Sequence, residues 1–283
     1  MQDLNLLDET FDKNQTLHYN LSIQVDLHGL TFCMLDTVRN KYTGLRHYAL
    51  DGLTDWRDVS ALSKILETDD ILKLQFKNTC FMIVDGKNTL VPLEYFDNNQ
   101  IAEIFTLNHT LDNSSEILYN SLAHALAANI FSMPIQVKSA FKHVFPDIKA
   151  FNSISPFIEN LIHESGRSYR KKCFVSIHSN TIDIGIASQK TLEFFNTFAY
   201  REKSDIVYFI LSVMEKFELP VLTSEIHFSS DMESNENIYE FLGQYINHIK
   251  FIRPGEHFSF SYIFDDAYIT RFANLFNLAL CVS

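Results

Sequence analysis

Hydrophobic and polar residues alternate along the first organised segment of the chain, residues 21–27. A period of two is typical of a strand with one buried face. Two more predicted strands, at residues 31–35 and 45–50, follow after short polar turns at His28-Gly29 and residues 39–41. Because turns this short join antiparallel neighbours, the pattern predicts a three-stranded antiparallel meander.

The rest of the first half alternates helical and extended patterns. Apolar residues recur at the three- to four-residue spacing of a helix with one buried face. Asp97 and Gln100 have capping-box spacing before one helix, and Ser155-Pro156 resembles the start of another. The predicted elements are a helix around 59–66, a strand at 80–84, an extended stretch at 89–92, a helix from 101 to 105, a helix at 137–144, and a helix at 157–162 that Gly166 ends.

The second half repeats this order after a polar, basic stretch at residues 167–172. Ser204-Asp205 is the predicted cap of a helix that is apolar nearly all round, which predicts its burial. The predicted elements are strands at 173–177, 182–187 and 192–200, a helix at 206–217, a strand at 224–228, a helix at 238–246, an extended stretch at 248–252 and a last helix at 269–280.

An internal duplication therefore divides the chain. Each half is predicted to form a β-meander followed by alternating helices and strands, which is similar to the ribonuclease-H-like lobe. The prediction is an α/β protein of two tandem ribonuclease-H-like lobes with mixed sheets flanked by helices. The first lobe is expected at 15–166 and the second at 167–283.

Composition narrows the classes of partner and compartment. The formal net charge of −12 repels phosphate backbones and anionic lipids, so nucleic acid and membrane surfaces are not expected partners. The sequence shows no secretory signal and no apolar stretch long enough to cross a bilayer. Four scattered cysteines suggest buried thiols in a reducing compartment and not a disulfide frame. We expect a cytoplasmic protein.

Three stretches carry a resemblance to a known family: residues 21–29, 195–200 and 204–211. Through them the chain resembles a bacterial family of unknown function with an actin-like ATPase fold, and more distantly the assembly proteins PilM and GspL. The resemblance covers nearly the whole chain. It implies a cleft between two lobes, where active members of the superfamily hold ATP with three glycine-containing loops.

Each of the three loops departs from the pattern of the active members. In the first phosphate loop Asp26 matches the family aspartate, but His28 replaces its glycine and Gly29 falls on its Ser/Thr position. In the second loop Thr181, Asp183 and Ile184 match, whereas Ser176 replaces the leading aspartate. The remaining departures are His178, Ser179 and Asn180 at the three glycines of the second loop, and Ser229-Ser230 at the glycine pair of the adenosine loop.

These replacements predict a loss of catalysis. A Cβ collides with a phosphate brought close to backbone N–H donors, and the Ser176 hydroxyl cannot replace a carboxylate that positions magnesium. We therefore expect no cofactor, with ATP and magnesium as the disfavoured alternative.

Several residues have two interpretations. Asp26 and Asp183 are either metal-organising carboxylates or exposed polar positions beside turns, which is the favoured interpretation. His28 and His178 are either a pair that faces across the cleft or ordinary turn residues. The basic residues Arg167, Arg170, Lys171 and Lys172 either capture an anionic partner or form a solvated join between lobes.

The expected function follows from an architecture that is retained although residues needed for ATP hydrolysis are replaced. The first hypothesis is a non-catalytic, pseudo-ATPase scaffold or interaction module whose partner is a protein or peptide. The alternative is a nucleotide-binding protein with weak or regulatory ATPase activity, resting on Asp26, Gly29, Thr181 and Asp183. The oligomeric state is left open.

Overall fold

The computed structural model describes residues 3–26, 28–50, 56, 58–166, 169–230, 235–256 and 258–282, with only the backbone described at 235–237. The chain folds as two compact units. The first unit comprises Met1–Pro156, Glu256–Asp265 and Asn274–Ser283, and the second comprises Phe157–Gly255 and Asp266–Ala273. The lobe limits 15–166 and 167–283 stay a prediction, and these units differ from them in membership.

Strands make up much of both units. In chain order they are β1 (Leu4–Leu7), β2 (Tyr19–Asp26), β3 (Gly29–Asp36), β4 (Lys41–Ala49), β5 (Asn78–Ile83), β6 (Asn88–Pro92), β7 (Ser115–Leu122), β8 (Ala127–Pro134), β9 (Lys149–Asn152), β10 (Lys172–Ile177), β11 (Thr181–Ser188), β12 (Thr191–Ala199), β13 (Ile226–Ser230), β14 (Ile249–Phe251) and β15 (Ser259–Phe260).

The α-helices are short to medium in length. They are α1 (Ser60–Thr68), α2 (Ile101–Thr106), α3 (Ile135–Val144), α4 (Ile154–Ser165), α5 (Lys203–Lys216), α6 (Asn235–Gly243), α7 (Asp266–Arg271) and α8 (Ala273–Asn277). Short 3-10 helices lie at Lys13–His18, Leu93–Tyr95 and Leu278–Cys281. Among the described residues, no helix has the length and apolar character needed to cross a membrane.

The first unit is built on a seven-stranded sheet with the order β1-β4-β3-β2-β5-β9, and β15 also pairs with β4. Strands β2, β3 and β4 are antiparallel neighbours, which confirms the predicted meander. Strands β5 and β9 continue from β2 in parallel, so their carboxyl ends share one edge of the sheet. Leu21, Ile23 and Val25 of β2 are fully buried.

An insertion that the sequence did not predict as a sheet interrupts the first unit. Between β5 and α3 the chain forms β6, α2, β7 and β8, and the three strands make a separate antiparallel sheet with β8 in the centre. Helix α3 then returns to the main sheet, where the Phe141 ring stacks on Phe81 with centroids 4.0 Å apart. The insertion leaves the duplicated order intact on either side of it.

The second unit repeats the same topology without the insertion. Its five-stranded sheet has the order β12-β11-β10-β13-β14, in which β10, β11 and β12 form the antiparallel meander. Strands β13 and β14 follow in parallel with β10. Helix α5 packs Ile206, Ile210 and Met214 into the core below this sheet. The predicted fold class, mixed sheets flanked by helices in two repeats, is confirmed.

Several local predictions about helices were wrong. The side chain of Asp97 binds Asn99 and not the start of α2, whose first turn has no side-chain cap. Helix α5 begins at Lys203, three residues earlier than predicted, with a capping box formed by Glu202 and Asp205. Its surface is not buried all round, because Tyr208 is 66% exposed. The predicted last helix is divided into α7, α8 and a 3-10 turn.

The basic join is more ordered than a solvated linker. Lys171 forms an ion pair of 3.3 Å with Glu193, and Lys172 donates a 2.7 Å hydrogen bond to the carbonyl of Glu164. Arg167 lies outside the described residues. Both lysine side chains therefore contact residues of the second unit.

Candidate functional site

Polar residues gather where the parallel strands of the first unit end. Asp26 ends β2, Asp85 follows the end of β5, and Asn152 ends β9. These three strands are adjacent and parallel, so their carboxyl ends meet at one edge, where ligands commonly bind in open α/β sheets.

The carboxylate of Asp26 is engaged in the turn between β2 and β3. Its Oδ1 accepts hydrogen bonds from the backbone N–H groups of His28 at 2.7 Å and Gly29 at 2.9 Å. The amide of Gln24 approaches Oδ2 at 3.4 Å. Asp26 is half-buried. The residue after it, Leu27, lies outside the described residues. The Asp26 side chain therefore forms an Asx turn with the backbone N–H groups of His28 and Gly29.

Gly29 is required by packing against β4. A Cβ at this position would lie 2.3 Å from Cε1 of His47 and 2.8 Å from the carbonyl oxygen of Tyr48. Real side chains do not approach a backbone oxygen so closely, and the carbonyl belongs to a paired strand that cannot move freely. The need for glycine here is thus explained within the sheet and does not depend on a phosphate.

A buried amide network at the same edge was missed by sequence reasoning. The Asn120 Oδ1 accepts from the backbone N–H of Asn152 at 3.1 Å and from Ser155 Oγ at 3.0 Å. The Asn152 side chain donates to the carbonyl of Asp85 at 2.9 Å. Burial raises the pKa of the Asp85 carboxyl, although the nearby Lys87 opposes this. The network fixes the inserted sheet onto the ends of β5 and β9.

In the second unit His178, Asp183 and Thr197 form a connected cluster. The Nε2 of the His178 ring lies 3.0 Å from Asp183 Oδ2, and Thr197 Oγ1 donates to Asp183 Oδ1 at 2.6 Å. Asp183 and Thr197 are directly opposed in the β11–β12 register. Asp183 is 3% exposed, so the favoured interpretation of this residue as an exposed turn position is wrong. Both carboxylate oxygens are occupied by neighbouring side chains.

Tyr200 holds the turn at residues 178–181, which occupies the position of the second glycine-containing loop. Its hydroxyl donates to the carbonyl of His178 at 2.5 Å and lies 3.1 Å from that of Ser179. Its backbone N–H donates to the carbonyl of Asn180, and His178 N–H donates to the carbonyl of Thr181 at 2.9 Å. Ser179 and Asn180 are exposed and Thr181 is half-buried. The turn is held by the second unit itself.

Two of the replaced positions bind each other. Ser229 and Ser230 are buried at the end of β13, and Ser229 Oγ lies 3.1 Å from Ser176 Oγ. Ser176 and Ser229 are opposed in the parallel pair β10–β13. The Ser176 hydroxyl, at the position of the family's leading aspartate, is thus in contact with Ser229, which lies at the position of the adenosine loop. The facing of His28 and His178 across a cleft stays a prediction.

The backbone N–H groups and carboxylate oxygens at these loop positions fit magnesium-bound ATP poorly. A phosphate cradle needs accessible backbone N–H groups without side chains in the way, whereas His178, Ser179 and Asn180 all carry a Cβ and the His178 N–H is used inside the turn. Magnesium prefers available carboxylate oxygens, and those of Asp183 accept from Thr197 and contact His178. Across the described part of the chain, no three His, Cys, Asp or Glu side chains cluster as metal ligands.

Comparison with known proteins places the chain in a family and a fold. The family described as "Protein of unknown function (DUF3822)" matches residues 8–249. A protein of Bacteroides thetaiotaomicron with actin-like ATPase fold and unknown function is 20% identical, with a TM-score of 0.79 over 96% of this chain and 99% of that one. No curated protein matches the chain significantly.

More distant structures share the same fold. The PilM-PilN type IV pilus biogenesis complex is matched with a TM-score of 0.59 and 9% identity, over 93% of this chain and 96% of that one. The ethanolamine utilization protein EutJ from Carboxydothermus hydrogenoformans gives 0.51 and 7%, over 97% and 92%. At these identities the matches show the fold alone, which is the actin-like ATPase fold.

Proposed function

The chain belongs to this family of unknown function, DUF3822, and we propose that it is a non-catalytic actin-like protein that serves as a protein-interaction module. The proposal rests on a contrast. The fold is complete, but side chains at the loop positions are engaged in contacts with neighbouring residues.

The observation that most strongly supports a non-catalytic role is the cluster of His178, Asp183 and Thr197. Asp183 is the one carboxylate of the second loop that matches active members, and both of its oxygens are in contact with neighbouring side chains. To bind magnesium it would have to share oxygens that already accept from Thr197 and contact His178 inside a buried site. A metal ion would have to fit beside these neighbours or displace them, and displacing the Thr197 donor costs about 1.5–3 kcal/mol, so the cluster opposes metal binding.

A protein or peptide is the proposed partner. The net charge of −12 disfavours nucleic acid and anionic lipid, while it attracts basic protein segments. A structure of the same fold, PilM, is found in a complex with PilN. By this analogy the fold can serve as a binding platform, and we extend that role to the present chain.

The cytoplasm is the proposed compartment. Cys33, Cys80 and Cys173 are buried free thiols, and burial raises the pKa of Cys80 to about 12. Such thiols act as small hydrophobic core residues, which is the use expected in a reducing compartment.

The competing function is nucleotide binding with weak or regulatory ATPase activity, resting on the retained Asp26, Gly29, Thr181 and Asp183. Asp26→Asn separates the two hypotheses, because the amide oxygen can still accept from His28 and Gly29 while the charge that would organise magnesium is lost.

The test is affinity isolation of the tagged, full-length chain at native abundance, with and without enzymatic removal of ATP from the lysate. We expect a stoichiometric protein partner that is retained after ATP removal and in the Asp26→Asn variant. Absence of any stoichiometric partner contradicts an interaction module. Loss of the partner under both treatments supports the nucleotide-binding alternative.

A further inference from the structure

The inserted sheet of β6, β8 and β7 is fixed to the first unit by one of its two faces. Leu118 of β7 and Phe131 of β8 are opposed in register, and both pack into the core of that unit. Successive side chains of a strand point to opposite faces, so Tyr119 lies on the other face. There its ring is 4.8 Å from that of Phe96. This second face is not part of the core of the main sheet.

Exposed apolar side chains gather at one end of the inserted sheet. The backbone N–H of Leu93, directly after β6, donates to the carbonyl of Leu126 at 2.8 Å, which joins the end of β6 to the β7–β8 turn. Contiguous apolar side chains at a surface commonly mark an interaction site. The exposed or half-buried apolar residues at this end, which we call the sheet tip, are Leu93, Tyr95, Phe96, Tyr119 and Leu126.

Leu126 has a backbone conformation that leucine normally avoids. Its φ of 51° lies in the left-handed region, where a bulky side chain crowds the backbone. The other non-glycine residues with positive φ in the described ranges are all polar: Asn40, Gln189, Lys190 and Glu218. The Leu126 side chain is 70% exposed, so packing within the chain does not account for it. A leucine that is both strained and exposed points to a contact outside the fold.

Carboxylates accompany the apolar residues of the sheet tip. Residues 88–126 all lie in the described part of the chain, and they include no lysine and no arginine. Glu94 is exposed within the 3-10 helix that carries Tyr95, and Asp97 follows two residues after Tyr95. The acidic residues of this segment are Glu94, Asp97, Glu103, Asp112 and Glu116.

Cations on the bordering elements do not neutralise this end of the sheet. Lys138 is bound to Glu116 at 2.6 Å, and Lys87 precedes β6, so it is roughly 20 Å of extended chain away from the tip. Lys149 lies on β9 beside β7, where it is exposed and accompanied by the exposed Asp147. The negative charge at the tip is therefore a local property of this surface.

We propose that the sheet tip docks a segment of a partner protein that presents aliphatic side chains between lysine or arginine residues. The aliphatic side chains cover Tyr95 and Leu126, and the cations meet Glu94 and Asp97 at the rim, as in interfaces with an apolar centre and a polar border. The same carboxylates repel nucleic acid and anionic lipid. This inference names the chemistry of the partner in the proposed interaction function and rests on that function.

The test measures binding of a labelled peptide to the full-length chain by fluorescence anisotropy. The probe is Lys-Leu-Leu-Lys-Lys-Leu-Leu-Lys, and two matched peptides replace either every Lys by Glu or every Leu by Ser. We expect saturable probe binding with a Kd on the order of 100 μM, and about tenfold weaker binding of each matched peptide. The titration is made at about pH 8, where an ordinary imidazole such as that of His124 in the turn is uncharged.

Leu126→Asn separates a contact role from a structural one. Asparagine tolerates a positive φ, so the thermal midpoint should stay the same or rise, while probe binding weakens by about tenfold. The matched control is Leu222→Asn in the second unit, because Leu222 is 72% exposed. We expect this control to bind the probe as the parent chain does.

Glu94→Gln tests the charged rim in the same assay. Loss of this carboxylate should weaken probe binding by about threefold, and the difference from the parent should disappear in about 0.5 M salt. Glu240→Gln is the control, since Glu240 is also exposed but belongs to α6 of the second unit. We expect it to leave probe binding unchanged.

Any of four results would overturn the proposal. They are no saturable probe binding, equal binding of either matched peptide, unchanged probe binding in both Leu126→Asn and Glu94→Gln, and self-association of the parent chain that Leu126→Asn abolishes. The last result would make a second copy of the chain the occupant. A native partner that the Leu126→Asn chain still captures in full would leave the interaction function standing at another surface, so the two failures are distinguishable.

Discussion

At the scale of single residues, Asp183 determines how the turn between β10 and β11 is held. Its carboxylate is buried and accepts its strongest hydrogen bond, at 2.6 Å, from Thr197 on the neighbouring strand. Both of its oxygens therefore have side-chain partners within the second unit. If this is its role, removing the donor must lower stability.

Thr197→Val tests that role, because it keeps the shape of the side chain and removes the hydroxyl donor. We expect the free energy of unfolding to fall by about 1–3 kcal/mol, since a buried carboxylate loses a partner. Urea denaturation measures it, with Thr191→Val as the control on an exposed residue of the same strand, expected within about 0.5 kcal/mol of the parent. Equal stability of the two variants would contradict a structural role for Asp183.

Asp8 has a comparable role in the first unit. Its carboxylate is buried and accepts from the N–H and hydroxyl of Thr10, each at 2.6 Å, and from Lys41 at 3.0 Å. Burial raises the pKa of Asp8, but hydrogen bonds from Ser261, Thr10 and Lys41 outweigh it and hold the pKa well below its usual range. The folded state therefore binds this proton less readily than the unfolded chain.

The sign of the pH dependence follows. The stability contributed by Asp8 is present above its unfolded pKa of about 4 and is lost as the pH falls below that value. Unfolding midpoints in urea between pH 6 and pH 3 should decline less steeply in Asp8→Asn than in the parent chain. Parallel pH profiles would show that the Asp8 charge is not coupled to folding.

At the scale of elements, the β2–β3 hairpin depends on close contact with β4. The space above Gly29 is filled by His47 and by the carbonyl of Tyr48. By contrast, a Cβ added to Gly243, at the end of α6, would have no described atom within 4 Å outside its own helix and chain neighbours. The two glycines thus form a natural pair for substitution.

Gly29→Ala should lower the free energy of unfolding by about 1–3 kcal/mol, because the methyl group meets backbone that cannot yield. Gly243→Ala should be neutral or stabilising by up to about 1 kcal/mol, because it restricts the unfolded chain without a clash. Thermal unfolding of both variants measures the difference. A stable Gly29→Ala variant would refute the packing explanation for this glycine.

Periodicity predicted the elements whose pattern is regular and missed those whose pattern is ambiguous. The meanders were visible because polar and apolar residues alternate in β2 and because the order recurs in β10 to β12. Strand β8 was missed, because all eight of its residues are buried and its sequence, Ala-Ala-Asn-Ile-Phe-Ser-Met-Pro, does not alternate between polar and apolar positions. Strands β1 and β15 are too short to show any period.

The candidate site was predictable in position and unpredictable in its contacts. Asp26, His178 and Asp183 were found by their resemblance to loop positions. The partners of Asp183 and of the turn, Thr197 and Tyr200, lie on a separate strand or just after it and meet them only through the β11–β12 register. Predicting them would have required that register, which is set by packing across the sheet and not by local sequence.

At the scale of the whole molecule, the end of the chain completes the first unit. Residues 256–265 and 274–283 belong to it, and the hydroxyl of Tyr42 in β4 donates to the carbonyl of Phe276. The rings of Phe260 and Phe264 surround Phe276 at 5.0 and 5.8 Å. Phe264 is 7% exposed and belongs to this core. These two segments thus contribute aromatic core residues to the first unit.

The most direct test of a non-catalytic role is a thermal-shift titration of the full-length chain with magnesium and ATP, and with ADP in parallel. A ligand at a hundred times its dissociation constant stabilises the native state by about 2.7 kcal/mol, which for a chain of this size corresponds to a rise of about 5 °C. We expect no shift at millimolar nucleotide, with the parent chain and Asp26→Asn behaving alike. A saturable rise that Asp26→Asn abolishes would contradict the account and establish a nucleotide site.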